Sequence, residues 1–130
     1  MTILFSNVLG SQNLSVHQWE NRIILISADK SHSEMANQQL IVLEKEKVNL
    51  IDRKIVIYKC IVDSCEYYNW NTTVKRFQIH KAKKGFNTTL IGLDGGKKYE
   101  SKSLEAPSVF FNLIDKMPMR RQELRNKDND

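Results

Sequence analysis

Cys60 and Cys65 are the residues of this chain best suited to chemistry, and they stand in the spacing C-x-x-x-x-C. A redox helix uses C-x-x-C, so this is a different arrangement. Cys60 lies inside an apolar run, where burial raises a thiol's pKa and leaves it inert. Two readings stay open. In one, Cys60 is buried and Cys65 sits in a loop. In the other, the chain turns at Asp63 and Ser64 so that the sulfurs meet in a structural or switchable disulfide, which needs Cα atoms within about 7 Å. Zinc would need four ligands, and His80 is the nearest histidine donor on the following segment, so no metal is expected.

The second cluster is Met117-Pro118-Met119-Arg120-Arg121-Gln122-Glu123. As structure it reads as a helix end whose arginines suit the helix dipole and whose methionines finish a core. As function, Arg120, Arg121 and Arg125 with Met119 would dock an acidic or carboxylate-bearing partner, because each guanidinium offers a bidentate fork. Elsewhere the signals are weaker. Ser31 reads as a helix N-cap, and His32 and His17 as surface residues; a catalytic Ser–His pair needs a third, orienting group. Glu44 and Glu46 face solvent, and Asp94-Gly95-Gly96 is a turn without a phosphate-loop fingerprint, so no cofactor is expected.

These side chains must be positioned by the elements around them. Leu14, Val16 and Trp19 are candidate anchors of a lead-in segment, with Trp19 packing into the core. Arg22 to Ala28, RIILISA, is a continuous apolar run and reads as a strand covered on both faces. A helix follows, capped by Ser31 and Glu34 in S-x-x-E spacing, with Ala36, Leu40 and Leu43, flanked by Met35 and Ile41, as its buried stripe and Glu44 to Lys47 as its solvated end. Arg53 to Val62, RKIVIYKCIV, reads as a second strand parallel to the first. Asp63 to Asn71 reads as a loop. Asn71 or Thr72 would cap a short helix from Val74 to Gln78, with Val74 and Phe77 facing the sheet, and Lys81, Lys83 and Lys84 form a solvated connector.

Thr88 to Leu93, the turn at Asp94-Gly95-Gly96, and Lys97 to Lys102 read as a β-hairpin. Pro107 suits a first helical position, and Phe110, Leu113, Ile114 and Met117 repeat at i, i+3, i+4 and i+7. Pro118 ends or bends that helix, and the polar extension MRRQELRNKDND adds up to another turn and then frays. The order is βαβαββα, which is that of an α/β, thioredoxin-like fold: a central mixed sheet with helices on both faces. Residues 1–13 read as a lead-in, 14–125 as a single domain and 126–130 as a frayed tail.

LIGLDGGKKYESKSL followed by FFNLIDKMPMRRQELR resembles the C-terminal half of the family called domain of unknown function 4174, and LSVHQWENRIILIS is similar to its opening. The resemblance runs from Leu14 to Arg125, with Leu93 standing where the family usually has Lys. It implies a thioredoxin-like fold with no established activity, and members that often carry an export signal. The redox-active proteins of that fold hold a thiol at the N-terminus of the helix after the first core strand and a cis-proline before the third. Here those places read ADKSHSEM and, near Asn87, GFNTTLIG. Neither landmark is present.

The chain has 130 residues, a formal net charge of +5 and 27% charged residues. The charge is spread along the chain with acidic residues interleaved, which favours solubility over nucleic-acid binding. No apolar run is long enough for a membrane span. MTILFSNVLGSQ at the start is either the tail of an export signal, giving an exported or periplasmic protein, or a frayed start, leaving it cytoplasmic. Three Asn-x-Ser/Thr sequons begin at Asn13, Asn71 and Asn87. The function these features favour is a non-catalytic binding or structural module with a protein partner. The alternative is an atypical thiol-based redox or peroxiredoxin-like protein using Cys60 and Cys65.

Overall fold

The structure, a computed structural model, describes residues 14–70, 74–78 and 84–129. The lead-in at 1–13 with its export reading, the sequons at Asn13 and Asn71, the cap at Asn71 or Thr72, His80, Lys81 and Lys83 lie outside the described residues.

Among the described residues six strands form one mixed sheet in the order β4-β3-β2-β1-β5-β6. At its centre, β1 (Arg22–Ala28) is buried at every residue, as its unbroken apolar run requires. β2 (Ile55–Ile61) lies parallel to it, in register from Arg22 opposite Ile55 to Ala28 opposite Ile61. On the other side β5 (Phe86–Ile91) is antiparallel to β1, and β6 (Lys97–Ser101) returns antiparallel to β5 across the Gly92–Gly96 turn. Gly95 sits at φ +85° in that turn, a conformation that suits a residue without Cβ.

Between β1 and β2 run α1 (Ser33–Glu44) and the shorter α2 (Lys47–Asp52). The solvated end expected at Glu44 to Lys47 is the junction between them. Ala36, Leu40 and Leu43 are buried, while Ile41 is 53% exposed and drops out of the stripe. Gln39 is buried too, and its amide clamps both the N–H and the C=O of Glu105, 2.9 Å each, tying the approach to the last helices onto α1. The start of α1 departs from the expected capping box. A short 3-10 turn at Lys30–His32 precedes it, and Asp29 rather than Ser31 accepts the His32 N–H.

The chain ends in α3 (Pro107–Asp115), with Pro107 in its first turn, and α4 (Pro118–Asn129). Phe110 and Ile114 are fully buried, as their spacing requires. Pro118 begins a new 12-residue helix, longer than the further turn expected before fraying, because a proline is tolerated in a helix's first turn.

Two larger expectations fail as well. The segments read as a loop and a short helix are strands, β3 (Ser64–Tyr68) and β4 (Lys75–Gln78). Their pairing explains why: Lys59, Glu66 and Arg76 stand opposite one another across three strands, with Glu66 bonded to Lys59 at 3.1 Å and to Arg76 at 2.9 Å. The Val74–Phe77 spacing fits a helix, but alternation along β4 is what brings Phe77 beside Cys65. Among the described residues the helices also do not cover both faces. Side chains of α1, α2 and α3 all join Ile24, Ile26, Ile57 and Leu90 in one core on a single face. The opposite face carries a smaller cluster, in which Leu14 joins Ile23, Leu25, Val56, Tyr58, Cys60 and Cys65. Its covering segment is the 3-10 turn Ser15–His17, so the described structure is two-layered.

Candidate functional site

Cys60 and Cys65 stand directly opposite each other on the β2–β3 hairpin and are joined by a disulfide, with Cα atoms 4.0 Å apart. The chain turns through Val62 and Asp63, one residue earlier than the expected Asp63-Ser64 turn. Val62 adopts φ 56°, a left-handed conformation that a β-branched residue rarely takes, and its N–H is held by the Ala28 C=O at 2.9 Å. Both cysteines are buried, at 2% and 0% exposure. They belong to an aromatic face: Tyr58 stacks on Tyr67 with ring centroids 4.7 Å apart, and Phe77 meets Tyr58 edge-on.

His17 completes that face and is buried rather than superficial, while the side chains of Val16 and Trp19 are 72% and 59% exposed and lie outside the core, Trp19 being held through its N–H, which donates to the Leu93 C=O at 2.7 Å. The 3-10 turn directs the imidazole inward, with Nε2 2.7 Å from the Tyr58 hydroxyl and Nδ1 3.2 Å from the Asn21 side-chain oxygen. Burial lowers the His17 pKa against the opposing pull of Asn21. A lowered folded-state pKa means that the unfolded chain binds the proton more readily, so stability is expected to fall as pH drops below the ordinary value of 6.5. Urea midpoints between neutral and mildly acidic pH are expected to show this slope, and a His17→Gln variant to lose most of it.

At the carboxyl end of β1, Asp29 organises a second cluster. Its carboxylate accepts from the Gly85 N–H at 2.6 Å, from His32 Nδ1 at 2.6 Å and from the Ser31 hydroxyl at 2.9 Å. These bonds, that of Gly85 first, hold its pKa far below the usual carboxylate range. Asp29 is thus the orienting acid that the sequence did not reveal, but it does not make a Ser–His–Asp relay. Ser31 and Asp29 both approach Nδ1, so the His32 Nε2 that would accept a nucleophile's proton faces neither. A cleft of about 580 Å³ opens beside His32, lined also by Met35, Lys84, Phe86, Asn87 and Lys102. Asn87 is 8% exposed and bonds Glu100 at 2.8 Å, which makes this sequon a poor acceptor for a bulky glycan.

The arginine motif divides. Arg120 is 2% exposed and faces inward, whereas Met119 is 39% exposed and Arg121 and Arg125 lie on the surface. Arg120 bonds Asp52 at 2.6 Å, Asp115 at 3.2 Å and Glu123 at 3.2 Å, and donates to the Asp52 C=O at 3.0 Å. Arg53 makes a bidentate pair with Asp115 and lies over the Phe111 ring, and Lys127 adds a further pair to Asp52. Arg22, which reads in sequence as the plain start of a strand, joins the network through Glu123 at 3.3 Å. The available signal is that a guanidinium opening a fully buried strand requires a partner.

Among the described residues there is no group of three or more His, Cys, Asp and Glu placed to hold a metal ion, and no helix long and apolar enough to cross a membrane. The fold and its clusters define a mixed α/β protein with a helix-covered face, a cross-strand disulfide under the other, and an arginine–carboxylate lock joining β1, α2 and the last two helices. The chain belongs to the family described as Domain of unknown function (DUF4174), which it matches over residues 13–123. It is similar to Coiled-coil domain-containing protein 80 of Danio rerio, with 28% identity over 135 residues. The match takes in 85% of this chain but 15% of that protein, so the chain corresponds to a small part of the relative's length. No solved structure matches it significantly.

Proposed function

We propose that the chain is a thioredoxin-like module that acts by binding, with Cys60–Cys65 as a structural bond. The observation that carries this reading is the burial of the disulfide: both cysteines are at most 2% exposed, so an attacking thiolate or peroxide has no approach to sulfur in the folded state. The thioredoxin-like part is supported by the four-strand run β2-β1-β5-β6, with β1 and β2 parallel and joined by α1, and β5 and β6 returning antiparallel before a helix. A disulfide also supports an oxidising compartment. The exposed side of α4, with Met119, Arg121 and Arg125, is the surface offered to an acidic protein partner.

A second reading treats the same bond as a reversible dithiol couple, and the direct opposition of Cys60 and Cys65 favours it, since a reduced pair would remain in place to re-form. Intact mass after alkylation separates the two. On the structural reading, protein purified without reductant takes up no label even when denatured, and the folded protein resists reduction by millimolar glutathione and consumes no peroxide. Ready reduction of the folded protein, or peroxide turnover that disappears in Cys60→Ser or Cys65→Ser, would overturn the structural reading and establish the second.

A further inference from the structure

We propose that the cleft between the β5–β6 turn and the α3–α4 junction is a binding site for a small organic carboxylate, anchored by the Arg22 guanidinium. Arg22 is 1% exposed. Its Nη1 donates to the Arg53 C=O at 2.8 Å and to Glu123 at 3.3 Å. Its Nε and Nη2 have no hydrogen-bond partner. In a guanidinium these two N–H groups share one edge and point the same way, at the spacing of the two oxygens of a single carboxylate. A buried cation with an empty fork carries an uncompensated desolvation cost, which an anion seated on that edge removes.

The charge count agrees. Four cations, Arg22, Arg53, Arg120 and Lys127, share three carboxylates, Asp52, Asp115 and Glu123, and Glu123 serves both Arg22 and Arg120. One negative charge balances the set. Space lies alongside: Arg22 lines a cleft of about 240 Å³ whose other walls are Leu93, Met117, Pro118 and Met119, with Asp94 and Lys98 at one side. Asp94 and Lys98 pair with each other at 2.8 Å, so neither answers the Arg22 fork. The apolar walls suit a short aliphatic body. Met119, 39% exposed and unbranched, is the wall best able to rearrange as the acid reaches the buried edge.

The site is independent of the reading of the disulfide, and its test leaves the cysteines untouched. The probes are sodium butyrate, neutral butyramide and inorganic phosphate at fixed ionic strength, followed by amide NMR signals and by calorimetric titration. Butyrate is expected to shift the signals of Leu93, Met117 and Met119 saturably, and butyramide and phosphate to leave them in place. Arg22→Lys keeps the charge but loses the fork, and is expected to weaken butyrate at least about tenfold. Because that variant disturbs a buried position, Lys98→Glu at the cleft's edge serves as the second. It sets a like charge near the acid and is expected to weaken butyrate about threefold or more. The proposal is overturned if butyrate gives no saturable shift at tens of millimolar, if butyramide or phosphate binds as tightly, or if Lys98→Glu and a folded Arg22→Lys both bind butyrate as the parent does.

Discussion

Replacing Arg120 with alanine is expected to lower stability by about 3–5 kcal/mol, the usual result of leaving partners of a buried ion pair uncompensated. The effect is large because one guanidinium answers three carboxylates and a backbone carbonyl, which tie α4 to α2 and to the end of α3. Asp52 and Asp115 are about one-third exposed, so water recovers part of the loss and the lower half of the range is the better expectation. Arg121→Ala, one residue along and on the surface, is expected to change stability by no more than about 0.5 kcal/mol. Urea unfolding of the two variants checks the contrast, and equal losses would show that Arg120 is not the lock. The network also sets an acid limit. The Lys127 bond above all, then Arg120, lowers the Asp52 pKa; at Asp115 burial pushes the pKa up, but Arg53 and then Arg120 together outweigh it and lower the value. Depressed carboxylate pKa values give stability that is present above the unfolded value of 3.8 and is lost as pH falls through the folded ones. In Arg120→Ala this acid-dependent loss is expected to shrink.

Removing the disulfide in a Cys60→Ala, Cys65→Ala double variant is expected to lower stability by about 2 kcal/mol. Its closed loop is short, with a sequence separation of 5, so the restriction of the unfolded chain lies at the small end of the range for disulfides. Alanine keeps the buried positions apolar, and the hairpin remains supported by the Tyr58–Tyr67 stack and the Lys59–Glu66 pair. The variant should therefore fold and unfold cooperatively at a lower urea midpoint. A loss near zero would mean that the hairpin registers itself, which removes the structural role assigned to the bond.

The elements that organise the helix-covered core were legible because their signals are local. RIILISA, RKIVIYKCIV, the D-G-G turn and the helix opened by Pro107 each carry their period or turn chemistry within a dozen residues. The parallel pairing of β1 and β2 followed from the helix between them. The segment from Asp63 to Gln78 misled for the same reason. Its alternation is short, it mixes aromatics with turn formers, and what makes it two strands is the cross-strand match of Lys59 with Glu66 and of Glu66 with Arg76, which no single window displays. The cysteines were visible as residues but not as a bond, because their meeting depends on that hairpin's register.

What the sequence determined by itself is the identity of the central strands, the β5–β6 hairpin and the buried stripes of α1 and α3, since hydrophobic burial imposes a period on each element wherever it lies. Only the tertiary structure decided which face the helices share, that His17 turns inward while Trp19 does not, and that Arg120 is a lock rather than a docking residue. It also decided that Arg22 meets Glu123 across 101 residues of chain while one edge of its guanidinium stays empty. The physical reason is the same for His17, Arg120 and Arg22. Apolar side chains need only an interior, whereas a buried polar or charged group needs a particular partner at a particular angle, and that partner is supplied by distant parts of the chain.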